Sequence, residues 1–326
     1  MGMIAVPITN LILFFIFLFF VASYAISSLM KKREMPIYHP DMLLKIKGLG
    51  ATKKLEIIPI VDWYFEHGEM KPEEGVSYMV RTDSNTILFD VGVNTATDMP
   101  TPLTMQMEKM GISWDDFDTV VISHNHPDQW RKHRAFRLNK NQVELGEESF
   151  YVGESAAYPV LEPTWNENPV AIGKGIATTG AIPNRDFMMG WTAEQALVVN
   201  VEGKGLVVIS GCGHQTLRRI VERAEMMFDA PMYGIVCGYH YPVTDSKLRM
   251  LAVEMQKYMP GHNHPLISIS DTDVEENIGF LKEKELKLVA MSPHDCCDNA
   301  IDEAFRNTFH ETYRKVAVGE KIVCEA

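Results

Sequence analysis

Four stretches of this chain that read as β-strands run directly into histidine. DTVVIS leads into His124 and His126, GLVVISGCG into His214, GIVCGY into His240, and KLVAMSP into His294. A strand is a rigid support, and the loop after it can turn imidazoles toward a common point, as a metal site requires. Five histidines placed this way need a fold that gathers four strand ends at one edge. Asp128 adds a carboxylate two residues after His126, and Asp90 closes TILFDVG in the same kind of position. Asp90 is read as a support that holds the histidine loop through hydrogen bonds.

The remainder of the pattern mixes strand meanders with helices. KLEIIPIV, VSYMVRT and TILFDVG alternate like strands, and TPLTMQMEKM reads as a short helix stopped by Gly111. QALVVNV and GLVVIS flank Glu202-Gly203-Lys204, a hairpin turn. QTLRRIVERAEMMF places Leu217, Ile220, Val221, Ala224, Met227 and Phe228 on one helical face. Strand and helix then repeat through MYGIVCGYHYPV, SKLRMLAVEMQKYM as a helix, PLISIS as a strand and DVEENIGFLKEKE, ending with KLVAMSPHD and the helix NAIDEAFRNTFHETY. Layered sheets covered by helices fit this order better than a doubly wound sheet.

The N-terminus carries a separate signal. Residues 1–30 hold no charged side chain, and Leu11 to Met30 is long enough to cross a bilayer as a helix. Small-residue sites such as Ser23-Tyr24-Ala25 keep a cleavable signal peptide open as the rival. No Lys or Arg precedes the run, which favours an uncleaved single-pass anchor through residues 4–30. Lys31-Lys32-Arg33 just after it places the large domain in the cytoplasm. Five cysteines without framework spacing agree with a reducing compartment. The expected organisation is an anchor with basic flank over residues 1–33, a linker over 34–53 and a folded domain over 54–326. A formal net charge of -12 argues against nucleic acid as a partner and leaves a small-molecule substrate. Nothing in the sequence indicates an oligomeric state.

LFDVG, ISHNHPD, GCGH and SPH, in that order, resemble the strand-end motifs of metallo-β-lactamase-fold hydrolases. Within that superfamily the chain is similar to the branch of dihydropterin-methyl-ribofuranosylaminobenzene-phosphate synthases. Those proteins carry an Asp/Glu-Gln-Ala-Leu stretch, a Gly-Cys-Ser-His, a Gly-Phe-His and a late His-Cys. The matching runs are Glu194-Gln195-Ala196-Leu197, Gly211-Cys212-Gly213-His214, Gly238-Tyr239-His240 and His294-Asp295-Cys296. The resemblance implies an α/β fold, the αββα sandwich of metallo-β-lactamase type, here preceded by one N-terminal transmembrane helix.

It further implies that His124, His126 and His214 bind one divalent ion, zinc first with iron or manganese as alternatives. Asp128 and His294 belong to a second metal position. Cys212 lies where many relatives have a bridging aspartate, and Cys212, His240 and Gln129 are candidates for metal or substrate contact. Asp128 is the expected catalytic carboxylate, orienting a water whose pKa the metal lowers toward about 7. Gln129 departs from the pattern by standing where the usual motif has histidine. A neutral amide oxygen is a poor replacement for imidazole, so the second ion is expected to bind weakly or not at all. The expected activity is metal-dependent hydrolysis of a small molecule. A non-catalytic binding module and a transferase acting on a phosphorylated pterin-type substrate are the alternatives.

Overall fold

The computed structural model describes residues 10–19, 21–22, 25, 45–64, 73, 75–94, 98–124, 141, 143–144, 149–152, 164–165, 168–186, 190–244, 249–250, 253–258, 268–292 and 299–326. The first sheet is built from β1 (Lys54–Val61), β2 (Ser77–Arg81), β3 (Thr86–Phe89), β4 (Thr119–Ile122), β5 (Ser149–Val152), β6 (Thr164–Trp165) and the C-terminal β18 (Ile322–Glu325). Its order is β18-β1-β2-β3-β4-β5-β6. The second sheet takes β7 (Val170–Gly173), β8 (Ile176–Thr178), β11 (Leu197–Val201), β12 (Gly205–Ile209), β13 (Met232–Gly238), β16 (Leu288–Ser292) and β17 (Tyr313–Lys315). Here the order is β17-β16-β13-β12-β11-β8-β7. Two small hairpins lie outside these sheets, β9 (Ile182–Asp186) with β10 (Gly190–Glu194), and β14 (Arg249–Met250) with β15 (Val253–Glu254).

Alternation along the strands makes the layers, because successive side chains on a strand point to opposite faces. In β1, Leu55 and Ile57 face the second sheet, while Ile58 and Ile60 face outward. In β12, Val207 and Ile209 face the first sheet, and Leu206 and Val208 face the helices. The outer face of the first sheet is covered by α1 (Pro102–Met110) through Leu103 and Met107. Three helices cover the second: α2 (Leu217–Met227), α3 (Asp271–Glu283) and α4 (Asn299–Phe309). The result is helix, sheet, sheet, helix, the αββα arrangement. Each fully buried Leu, Ile, Val or Phe in these three cores contributes roughly 1.5–3 kcal/mol.

Local sequence explains the helices that frame the site. α1 starts at Thr101, whose side chain accepts the Thr104 N–H, has proline in its first turn, and ends at Gly111 with φ +66°. α2 buries Leu217, Ile220, Val221, Ala224 and Met227, the stripe read from the sequence. Its other buried member, Arg223, donates to the carbonyls of Thr179 and Ala181, tying the loop before β9 to the helix. The expected hairpin joins β11 to β12, with Gly203 at φ +72°.

Two expectations change. SKLRMLAVEMQKYM does not form a helix in its described residues, which make the β14–β15 hairpin and a 3-10 turn over Met255–Tyr258. Its helix propensity is a weak local preference, and packing overrides it. The described part of PLISIS, residues 268–270, is not a strand, and Ser270 instead caps α3. Part of the segment read as linker is also packed: Ile46 and Leu49 lie on the helix-side core, and Thr52 bridges to Val201.

At the N-terminus, residues 10–19 are helical with Leu11, Phe14, Phe15, Phe17 and Phe19 exposed. Ten residues rise about 15 Å, half of a hydrocarbon core of about 30 Å. Among the described residues no helix is long and apolar enough to cross a membrane. Much of the expected span, residues 4–9, 20, 23, 24 and 26–30, lies outside them.

Candidate metal centre

The site lies where the carboxyl ends of β3, β4, β12 and β13 meet. Phe89 is followed by Asp90, which turns the chain at φ +59°. Its Oδ1 accepts the Ser123 backbone N–H at 2.7 Å, and Oδ2 accepts the Ser123 hydroxyl at 2.6 Å. Ser123 Oγ is also 2.7 Å from His124 Nδ1. With its own proton given to Asp90, the serine oxygen takes the proton of Nδ1. The network therefore assigns the tautomer whose lone pair is on Nε2. Asp90 acts on His124 through one hydroxyl.

The second sheet contributes Ser210-Gly211-Cys212-Gly213-His214 between β12 and α2. Both glycines are required by space. A Cβ on Gly211 would lie 2.5 Å from Ser123 Oγ and 2.6 Å from Asp90 Oδ2. A Cβ on Gly213, at φ +76°, would meet the Gly238 carbonyl oxygen at 2.2 Å. The loop can thus press against the Asp90–Ser123 pair and bring its ligands to His124.

His124, Cys212 and His214 are all buried, and one donor atom from each lies within 4.8 Å of the other two. The imidazole centroids of His124 and His214 are 5.0 Å apart with the rings at 77°. His240, after β13, stands beside them with its centroid 4.3 Å from that of His214. Zinc with ligands at about 2.0–2.3 Å needs donor separations of roughly 3.5 Å. Two imidazoles and a thiol, buried together with no lysine or arginine in the donor set, fit a thiophilic divalent ion. His126, Asp128, Gln129 and His294 lie outside the described residues.

Sequence reading assigned no role to Glu194, which the structure places at the centre of the support. This buried carboxylate accepts N–H groups of Gly213 and His214 at 3.1 Å each and the Ser210 hydroxyl at 3.2 Å. Its Oε1 is 3.9 Å from His124 Nδ1. Burial pushes its pKa up to about 7, with the nearby Asp90 charge adding to the rise and the Gly213 N–H opposing it. The next residue continues the support: Gln195 donates its backbone N–H to Ser123 O at 2.8 Å and its Nε2 to Ile122 O at 2.9 Å. The signal available was the Glu194–Leu197 run itself, visible only as a signature without chemistry.

A metallo-β-lactamase-type αββα fold with a buried His/Cys/His cluster defines the class. Residues 70–149, which include Asp90 and His124, match the family model described as the Metallo-beta-lactamase superfamily. The chain is 21% identical to the 7,8-dihydropterin-6-methyl-4-(beta-D-ribofuranosyl)-aminobenzene-5'-phosphate synthase of Methanocaldococcus jannaschii, over 62% of this chain and 83% of that protein. Among solved structures, a metal-dependent hydrolase of the beta-lactamase superfamily is similar at a TM-score of 0.52 and 18% identity. That match covers 83% of this chain and all of the other. An isothiocyanate hydrolase from Delia radicum gut bacteria matches at 0.49 and 13% over the same shares. The chain is a metallo-β-lactamase-fold protein.

Proposed function

We propose that this protein is a metal-dependent hydrolase of a small molecule, tethered to a membrane by its N-terminal segment with the folded domain on the cytoplasmic side. The observation that carries the hydrolase reading is the buried convergence of His124, Cys212 and His214 within 4.8 Å at the junction of two sheets. Three metal-type side chains removed from water in one place have no role in packing that apolar residues would not fill better. The exposed apolar side chains of residues 11–19 support the tether.

In this reading His124 Nε2, the Cys212 thiolate and His214 hold the ion, zinc by preference. A bound divalent ion supplies Lewis-acid activation of water and polarisation of an electrophilic carbonyl or phosphorus centre near neutral pH. The chain's own groups prepare the site: Asp90 and Ser123 set the tautomer of His124, and Glu194 holds the loop of His214. Asp128 orients the attacking water, and His240 borders the substrate side. Gln129, in place of histidine, leaves one tight ion and a weak second one. The distant synthase similarity keeps transfer on a phosphorylated pterin-type substrate as the second reading.

Metal content per full-length chain in detergent, measured by elemental analysis, tests the proposal when combined with turnover on chromogenic esters, lactones and phosphoesters. One tight ion, with hydrolysis that disappears in His124→Ala, is the expected result. Gln129→His should raise the count toward two. No tight ion in the unaltered chain, or turnover indifferent to His124→Ala, sinks the hydrolase reading in favour of a non-catalytic module.

A further inference from the structure

Glu194 ends β10 and Gln195 leads toward β11, yet their side chains and the Gln195 N–H bond elsewhere. Gln195 grips the end of β4 through Ile122 O and Ser123 O, immediately before His124. Glu194 grips the loop after β12 through Ser210 Oγ and the Gly213 and His214 N–H groups. Two adjacent residues therefore hold both histidine-bearing loops, one from each sheet. The two strand ends share no ladder, because β4 and β12 lie in different sheets.

We propose that Glu194 is a positioning residue which, with Gln195, forms a clasp between the sheets and sets the separation of His124 and His214 for a thiophilic divalent cation. The proposal rests on the metal-centre reading above. Sheets stacked about 10 Å apart meet through apolar side chains, whose dispersion contacts are individually weak and non-directional. A metal needs donor positions fixed to a few tenths of an ångström. Directional hydrogen bonds from consecutive N–H groups to one carboxylate supply that register. At 3.9 Å the Glu194–His124 contact is too long for a hydrogen bond. The Nδ1 proton therefore stays with Ser123.

Glu194→Gln is the direct test, since it keeps size and removes the charge. One amide oxygen survives to accept, while the new NH2 group faces an N–H and repels it. The full-length chain in detergent, stripped of metal, is titrated with Zn2+ against a chromophoric chelator and with Co2+ as a spectroscopic probe. Glu194→Gln is expected to weaken Zn2+ binding by about 10–100-fold. It should also alter the Co2+ ligand-field spectrum of the folded variant, while the repelled N–H lowers the urea midpoint of the metal-free protein. Glu194→Asp, which keeps the charge on a shorter arm, should recover part of the loss.

Ser210→Ala removes one hydrogen bond from the clasp and should cost about fivefold in affinity. It decides the matter if Glu194→Gln does not fold. Unchanged Zn2+ affinity and Co2+ spectrum in the folded variants overturn the clasp. So does an affinity loss that only follows the fall in metal-free stability, with the Co2+ spectrum unchanged. If the unaltered chain binds neither ion, the metal-centre reading itself is overturned.

Discussion

Asp90 and Asp62 each follow a strand of the first sheet, and each holds a serine that ends another strand. Asp90 reaches Ser123 within its own sheet, across the adjacent β3 and β4, and the next residue is His124. Asp62 reaches across to the second sheet, where Ser292 Oγ lies 2.7 Å from both carboxylate oxygens. The Trp63 N–H and the Tyr78 hydroxyl also donate to it, at 2.7 and 3.2 Å. Burial pushes the Asp62 pKa up to about 7, against the pull of those hydrogen bonds. One carboxylate sets the proton of His124 through a single hydroxyl, and the other ties two layers together. The same residue pair serves local chemistry in one place and tertiary assembly in the other.

Four substitutions separate these roles, ordered by their expected effect on zinc affinity. His124→Ala removes a ligand and should reduce affinity by more than about 100-fold, read by chelator competition. Asp90→Asn should weaken zinc by about 10–100-fold, because an amide cannot accept from both the Ser123 N–H and hydroxyl. Like Glu194→Gln it should also destabilise the metal-free protein, by about 2 kcal/mol in urea unfolding, since the buried Ser123 N–H loses its charged partner. Equal urea midpoints for Asp90→Asn and the unaltered chain would show that Ser123 does not depend on the Asp90 carboxylate.

Gly211→Ala pushes a methyl group into Ser123 Oγ and Asp90 Oδ2, at a cost of about 1–3 kcal/mol in stability and about tenfold in zinc affinity. A variant with normal affinity would show that the two loops do not need to touch. Asp62→Asn should leave zinc affinity near normal and change the pH dependence of stability. With its folded pKa raised from 3.8 to about 7, the native Asp62 contributes stability that is full below about pH 4. That contribution falls as pH rises and is gone above about 7, where the buried group is ionised. The asparagine stays neutral, so its metal-free stability relative to the unaltered chain should climb across this window by on the order of 4 kcal/mol. Parallel stability curves from pH 4 to 8 would remove the assigned role of Asp62.

The strands leading to His124, His214 and His240, and the apolar stripe of α2, were legible because period-2 and period-3.6 patterns are local. Asp90 was legible because it closes a strand in the same register as the histidines. Asp62 was not, since its partner is 230 positions away in sequence and in the other sheet. Glu194 was visible as a signature while its chemistry was hidden, because its partners at Ser210, Gly213 and His214 depend on where the β12 loop folds back. The misread helix over 246–259 shows the same limit from the other side: good helix formers were overruled by a hairpin.

From the order of its residues alone, this chain determines layered α/β architecture, strand ends rich in metal ligands, and an apolar N-terminal run. Those properties follow from periodicity and side-chain chemistry, which each residue carries with it. Tertiary structure decided that His124, Cys212 and His214 share one buried point and that His240 stands beside it. It also decided that Asp90 and Glu194 hold the loops of that cluster, while Asp62 ties the two sheets together elsewhere. The reason is that stacking two sheets brings together residues far apart in sequence, and hydrogen-bond geometry over a few ångströms is set only once that stacking is complete.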